Sequence, residues 1–348
     1  MQVIRNRRDT TSDTDPKGSE IRKADKSSNF SSRDNTGFMQ EPVRNSSSIF
    51  FNVIQRLPRQ GVHVSRNIPA FEFNILKGRS KLQLLWTIID IMREDPFSLH
   101  GLTALVTGGN GGLGLGMAQG FKRAGARVAI TGRNSQKNAE AAKAEFPPDA
   151  IYQMDVYDER SVERTIADVV AKFGALNILV NNAGAGKRSS ITELPLEEWE
   201  GIVHINLTGA FLCAKYAVRA MKATGRGGKI INIGSLYSLA GVPNAISYGA
   251  TKHGILGLTR ALAVELGPHN IQVNAILPGY CETAMTEALK GTPLFDWVRR
   301  KTPAGRWGSP EDMAGAAVFF ASAASGFVTG AALTVDGGYS ITDRPVYD

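Results

Sequence analysis

From Leu102 onward, short runs of Val, Ile, Leu and Ala alternate with longer segments in which apolar residues recur every three or four positions. Short apolar runs without polar alternation predict strands buried on both faces, and the longer period predicts helices with one apolar stripe. Seven strands follow from this pattern: Thr103–Thr107, Arg127–Thr131, Ile151–Met154, Asn177–Asn181, Lys229–Ile233, Gln272–Leu277 and Ala332–Val335. Six helices lie between them: Gly112–Ala124, Gln136–Glu145, Ser161–Phe173, Leu196–Thr224, Ala245–Leu266 and Glu311–Ala323. Ser309-Pro310-Glu311-Asp312 marks the last helix start, with a serine cap, proline at the first helical position and acid in the first turn. Strands alternating with helices predict an α/β fold: one doubly wound, parallel, seven-stranded sheet with helices on both faces.

The pattern is different before that point. Residues 1–47 are rich in Ser, Asp, Asn, Arg and Lys and poor in large apolar residues, a composition that cannot bury a core and predicts disorder. Residues 48–94 hold two short apolar segments, Ile49–Leu57 and Leu82–Met92. The second places Leu82, Leu85, Trp86, Ile89 and Met92 on one side of a helix, suited to packing on the body, a partner or a membrane surface. A second reading is that Met92-Arg-Glu-Asp-Pro-Phe-Ser-Leu is the natural start and the upstream stretch an over-long gene model. The chain thus divides into an extension, 1–94, and one domain, 95–348.

Charge and composition narrow the function. The formal charge of the 348 residues is +8, but residues 1–91 hold 15 Lys/Arg against 9 Asp/Glu, leaving 25 against 23 for the rest. The body is near neutral and carries no basic footprint for nucleic acid. Two cysteines, Cys213 and Cys281, form no CxxC, and the five histidines show no metal-ligand spacing. This fits a reducing, cytoplasmic setting. The start is polar, without a secretory apolar region. Leu82–Met92 is broken by Thr87 and Asp90 and falls short of the ~20 apolar residues a bilayer span needs.

The first strand runs into Thr107-Gly-Gly-Asn-Gly-Gly-Leu-Gly114, and a helix follows. Glycines let backbone approach a pyrophosphate, and the helix N-terminus offers free N–H groups and partial positive charge. This placement makes the sheet Rossmann-type. The second strand should end beside the adenosine ribose, where an acidic residue selects NAD. Here Thr131-Gly132-Arg133-Asn134 follows instead. Arg133 can fork to a 2′-phosphate, so NADP is expected over NAD.

Tyr248-Gly-Ala-Thr-Lys252 puts a phenol and an amine on one helix face. An ammonium beside a phenol favours the phenolate and is expected to pull its pKa down. Such a tyrosine can pass a proton to or from an alcohol oxygen. Ser235 ends the strand before it and can position a carbonyl oxygen. Tyr237 and Ser238 are rivals in sequence, but neither has a lysine four residues on.

Thr107-Gly-x-x-x-Gly-x-Gly114, Asn181-Asn-Ala-Gly184, Asn206, Ser235, Tyr248-x-x-x-Lys252 and Pro278-Gly279 occur in that order over residues 98–341. Together they resemble the short-chain dehydrogenase/reductase family. The resemblance implies a catalytic set of Ser235, Tyr248, Lys252 and Asn206, with Asn206 holding a water that links Lys252 to solvent. It implies that Gly108, Asn110, Gly112, Leu113 and Gly114 cradle the cofactor phosphates and that Asp155 and Val156 flank the adenine. Asn182, Ala183 and Gly184 would border the nicotinamide ribose, which Lys252 would also bind. Pro278, Gly279 and Thr283 would bracket the nicotinamide. The tail, Thr302-Pro-Ala-Gly-Arg-Trp-Gly-Ser-Pro-Glu311 with Val335-Asp-Gly-Gly338, resembles gluconate 5-dehydrogenases, 2-deoxygluconate 3-dehydrogenases and glucose 1-dehydrogenase-like members. That implies a small-molecule substrate, a sugar or sugar acid such as gluconate or 5-ketogluconate, and a homotetramer. A 3-oxoacyl thioester reductase has a similar tail and is the alternative. Lys187 and Arg188 are placed either to reach a substrate carboxylate or to be a solvated loop pair.

Overall fold

A computed structural model of the chain describes residues 95–144 and 147–347. The 1–94 extension lies outside the described residues, and with it Ile49–Leu57, the Leu82–Met92 stripe and the Met92 start. The strands are β1 (Thr103–Val106), β2 (Arg127–Gly132), β3 (Ala150–Gln153), β4 (Ile178–Asn181), β5 (Gly228–Ile233), β6 (Ile271–Pro278) and β7 (Ala332–Val335). They form one parallel sheet in the order β3-β2-β1-β4-β5-β6-β7. All seven expected strands are present, with ends shifted by a residue.

Alternation along β1 divides the core in two. Ala104 and Val106 face a layer built from α1 (Gly112–Arg123), where Met117 and Phe121 are fully buried. Leu105 faces the opposite layer, with Leu179, Ile230 and Val273 from β4, β5 and β6. That layer holds α3 (Glu159–Phe173), α4 (Leu196–Thr224) and α5 (Ile246–Leu266). α7 (Ala314–Ala321) joins α1 through Ala317 and Phe320. Each large side chain so buried contributes about 1.5–3 kcal/mol.

Three expected helices change. The last, predicted over Glu311–Ala323, opens as a 3₁₀ turn over Pro310–Met313 and is α-helical only over α7. The one predicted over Gln136–Glu145 is α2 (Ser135–Ala141), capped by Asn134, whose side chain accepts from Lys137 N at 2.9 Å. It stops at Ala141, short of the predicted Glu145. α4 is continuous as predicted but widens into a π-turn over His204–Thr208. Length and composition would let α4 cross a membrane. Leu212, Cys213, Ala217 and Met221 instead bury its apolar face in the core.

A further helix, α6 (Pro293–Lys301), was not anticipated. Its signals are in the sequence: Thr292 as cap, Pro293 at the first position, Asp296 in the first turn and Arg299, Arg300 and Lys301 in the last.

Candidate active site

Between β1 and β4 the strand order reverses, and the strands' carboxyl ends diverge there into a crevice. A cavity of about 890 Å³ opens at that edge. The glycine loop, Arg133, Tyr248, Lys252 and the segment after β6 all line it.

Backbone makes the first half. Gly108 has φ +61°, and a Cβ there would sit 3.0 Å from Ala183 Cα. A Cβ on Gly114 would lie 2.5 Å from both Asn182 Nδ2 and Gly108 O. The glycines are therefore needed for the loop to close against β4. Asn182 holds it there, its Nδ2 donating to Thr107 O (2.9 Å) and Gly108 O (3.0 Å). Thr107 Oγ1 accepts from the N–H groups of Asn182 and Ala183, both at 3.0 Å. Gly111 caps α1 without a side-chain hydrogen bond, leaving the helix amides for an anion. Asn110 donates to Asn138 Oδ1 at 2.7 Å, tying the loop to α2. Leu113 lines the cavity and packs on the α1 core; Gly112 approaches Thr283, whose Cγ2 would be 3.4 Å from an added Cβ.

Arg133 and Asn134 line the far end, joined by Lys137 from the first turn of α2, which the sequence reading missed. Arg133 lies 3.7 Å from Asp155 and its side chain is 60% exposed. Asp155 turns its carboxylate to Tyr157 N (3.0 Å) and Arg133, whereas Val156 lines the cavity.

Ser235 follows β5 in extended conformation and caps a 3₁₀ turn, Leu236–Ser238. Its Oγ accepts from Tyr237 N at 3.2 Å, and its O–H is left to donate toward Tyr248. Ser238, the rival in sequence, is a brace. Its Oγ accepts from Ser235 N (3.1 Å) and donates to Lys252 O (2.7 Å), fixing the serine turn to α5. Tyr248 sits in the first turn of α5, and a hydrogen bond links it to Ser235. Lys252 is 6% exposed; its Nζ donates to Ile233 O at 2.8 Å and lies 5.5 Å from the Tyr248 ring centroid. Burial brings its pKa down from 10.5 to about 8.

The expected fall in the Tyr248 pKa is not the net result. Burial raises it, with Ser235 pulling the other way, because the ammonium is aimed at the Ile233 carbonyl rather than the phenol. Asn206 lies in the π-turn of α4 and is 2% exposed. Its amide accepts from Ala185 N (2.8 Å) and donates to Ala185 O (2.9 Å) and Thr251 Oγ1 (3.0 Å). It pins the segment after β4 to α5, beside Gly184, where an added Cβ would lie 3.3 Å from its Oδ1 and 3.8 Å from Lys252 Nζ. Such widened turns recur at functional sites.

The opposite wall is side chains. Pro278 ends β6, and Gly279 N donates to Val335 O at 3.0 Å. Lys187 is tied to Glu198 at 2.5 Å, while Arg188 lies beside Tyr237 and Tyr280 with no ion pair among the described residues. Sequence alone left these two cations equivalent; the structure separates them. Tyr237 and Tyr280 hydrogen-bond through their phenols at 2.8 Å, a pairing no local motif announces.

A family model described as enoyl-(acyl carrier protein) reductase matches residues 108–340. Gluconate 5-dehydrogenase of Gluconobacter oxydans (strain 621H) is 39% identical over 253 residues, 71% of this chain and 98% of that protein. A 3-oxoacyl acyl-carrier-protein reductase of Chlamydia muridarum is 36% identical over 244 residues, 68% of this chain and 96% of that protein. The crystal structure of a gluconate 5-dehydrogenase from Burkholderia cenocepacia J2315 in complex with NADP and tartrate superposes with a TM-score of 0.67 at 38% identity, covering 71% of this chain and 98% of that one. The chain belongs to the short-chain dehydrogenase/reductase family and is an NAD(P)-dependent oxidoreductase acting on CH–OH groups.

Proposed function

We propose that the chain interconverts a secondary alcohol and a ketone on a sugar acid of the gluconate/5-ketogluconate class, with NADP(H) as the hydride carrier. The observation that carries this reading is Arg188, an exposed cation without an ion pair among the described residues, in the cavity that Tyr248 and Lys252 also line. A sugar acid brings a carboxylate for such a cation; the acyl chain of a thioester does not. Relatives named for gluconate oxidation, one solved with NADP, support it.

The cradle suits NADP: a backbone loop that Gly108 and Gly114 let close against β4, the free amides of α1, and Arg133 and Lys137 at the far end for a 2′-phosphate. NADP(H) supplies or accepts the hydride. Ser235 turns its O–H from the Tyr248 phenol to the carbonyl oxygen and lowers the energy of negative charge developing there. Tyr248 gives its phenolic proton to that oxygen during reduction and takes one back during oxidation. The raised pKa keeps the phenol loaded as an acid at neutral pH. Lys252 places its ammonium for the ribose hydroxyls beside Tyr248, and Asn206 fixes the ground between α4, α5 and Ala185. Val156, Asn182, Ala183, Gly184, Pro278, Gly279 and Thr283 shape the cavity around the cofactor.

Assays of NADPH oxidation with 5-ketogluconate and with acetoacetyl thioesters test the reading. Turnover of the sugar acid, lost in affinity for Arg188→Gln, is the expected result. Preference for the thioester overturns it in favour of the 3-oxoacyl reductase alternative.

The same proposal includes a homotetramer in the cytoplasm. An apolar groove on the outer side of α4 and α5, lined by Leu207, Phe211, Leu258 and Ala261, supports self-association, with Phe211 48% exposed. β7 is a sheet edge beside the fully exposed Phe327. Two free buried thiols fit a reducing compartment. Light scattering on the full chain tests the stoichiometry.

A further inference from the structure

We propose that the Tyr237–Tyr280 phenol pair is a specificity-determining wall: it reads hydroxyl groups on the substrate beyond the reacting carbon and selects polyhydroxylated ketones over unsubstituted ones. The inference takes its substrate class from the sugar-acid reading above and deepens it.

Three observations carry it. Both tyrosines line the cavity that holds Tyr248 and Arg188, and the Tyr237 ring meets the Tyr248 ring edge-on with centroids 6.0 Å apart. The wall therefore stands beside the proton donor, where a substrate chain must pass. Second, the two phenols share one hydrogen bond at 2.8 Å. Tyr280 also bonds to the Tyr339 phenol, so three hydroxyls carry three protons and two internal bonds spend two of them; one O–H and further lone pairs of the cluster remain for a ligand. An apolar acyl chain against this wall would leave those groups unpaired. Burial raises the pKa of both phenols, so they stay neutral donors and acceptors.

Third, the wall is rigid. Tyr280 packs edge-on against Trp307 (5.2 Å) and Tyr339 (5.1 Å). Trp307 stacks on Phe295 of α6 at 4.6 Å, and its Nε1 donates to Phe295 O at 3.0 Å. Lys301 of α6 lies 4.0 Å from the Tyr339 ring centroid. These contacts hold the Tyr280 ring in place when its hydroxyl is removed, so a phenylalanine there changes hydrogen bonding and little else.

The test compares two four-carbon ketones, erythrulose and butanone, on the full-length wild type, Tyr237→Phe, Tyr280→Phe and the double variant, with NADPH affinity as a control. Expected is a fall in kcat/KM for erythrulose of about tenfold per lost hydrogen bond. The same variants should keep butanone turnover and NADPH affinity within about twofold. Equal losses on both ketones would make the pair a structural pin and overturn the inference; so would no loss on either. A wild type that prefers erythrulose through these phenols yet ignores 5-ketogluconate sinks only the sugar-acid reading. If neither ketone turns over, erythritol and butanol are titrated into the NADP-bound enzyme. A preference for erythritol that the Phe variants lose then supports the wall, and equal affinities overturn it.

Discussion

At the glycine loop, the groups facing the cavity are backbone amides and carbonyls, held by Asn182 and Thr107 within one turn of β1 and β4. At Arg188, they are side chains from four separate stretches of chain: Arg188, Tyr237, Tyr280 and, behind them, Tyr339. A backbone cradle binds what every member of a cofactor class shares, a pyrophosphate. A side-chain wall binds what distinguishes one substrate from another, and a few substitutions remake it. Tyr248 lines the cavity where the halves meet.

The sharpest way to break that comparison is at the meeting point. Tyr248→Phe removes the proton and keeps the ring. Turnover should fall about 10²–10⁴-fold, the usual contribution of a positioned acid. NADPH affinity, set by the other half, should change little. Steady-state kinetics with fluorescence titration of NADPH separates the two. Retained turnover would move the proton to another group, with Tyr237 the nearest phenol.

Gly114→Ala attacks the backbone half directly. The new Cβ would lie 2.5 Å from Asn182 Nδ2 and Gly108 O, so the loop must open. Overpacking of this kind costs about 1–3 kcal/mol, which corresponds to roughly 10–100-fold in NADPH affinity if it falls on binding. Circular dichroism checks that the fold survives. An affinity like the wild type's would show that the cradle tolerates side chains and that its glycines are not what shapes it.

The same contrast explains what could be read from the chain. The strands, the glycine loop and the Tyr248–Lys252 juxtaposition were legible because each is local: an apolar run, glycines between a strand and a helix, or two residues one turn apart. The Tyr237–Tyr280 bond was not legible, since it joins residues 43 apart whose meeting depends on how the turns after β5 and β6 pack. Lys187 and Arg188 read alike because their difference lies in Glu198, reached only through α4. α6 is a different case: its cap, proline and charge signals were present, but the strand–helix rhythm had already placed every element the sheet needed. The π-turn left no local mark either, because Asn206 is drawn to Ala185 and Thr251 by tertiary hydrogen bonds.

Arg133→Ala probes the cradle at its one side-chain-built end. Arg133 is exposed and already beside Asp155, so its gain with a 2′-phosphate is screened and shared. A charge-assisted bond at such a site supports a loss of about tenfold in the preference for NADPH over NADH, with Lys137 keeping the remainder. The ratio of the two cofactors' kcat/KM values reads it. An unchanged ratio would put 2′-phosphate selection on Lys137 or elsewhere in the loop.

Lys252 gives the smallest effect and the finest separation, because the proposed function needs its charge for cofactor binding while its burial opposes that charge. The folded-state pKa is depressed from 10.5 to about 8 by burial. The ammonium is therefore complete below pH 8 and is lost as pH rises through that value. NADPH affinity should fall a few-fold, on the order of 2–5-fold, across that step, as one hydrogen bond to the ribose weakens from charged to neutral. Stability should move the opposite way. Between about 8 and 10.5 the unfolded chain binds more protons at this group than the folded one, so its contribution grows with pH. Titrating NADPH from pH 7 to 9, beside thermal melts of the cofactor-free protein, tests both. In Lys252→Met the affinity should be low and flat with pH. A wild-type affinity without a step near 8 would mean that the ammonium bonded to Ile233 O plays no part in holding the cofactor, and that the backbone half binds it alone.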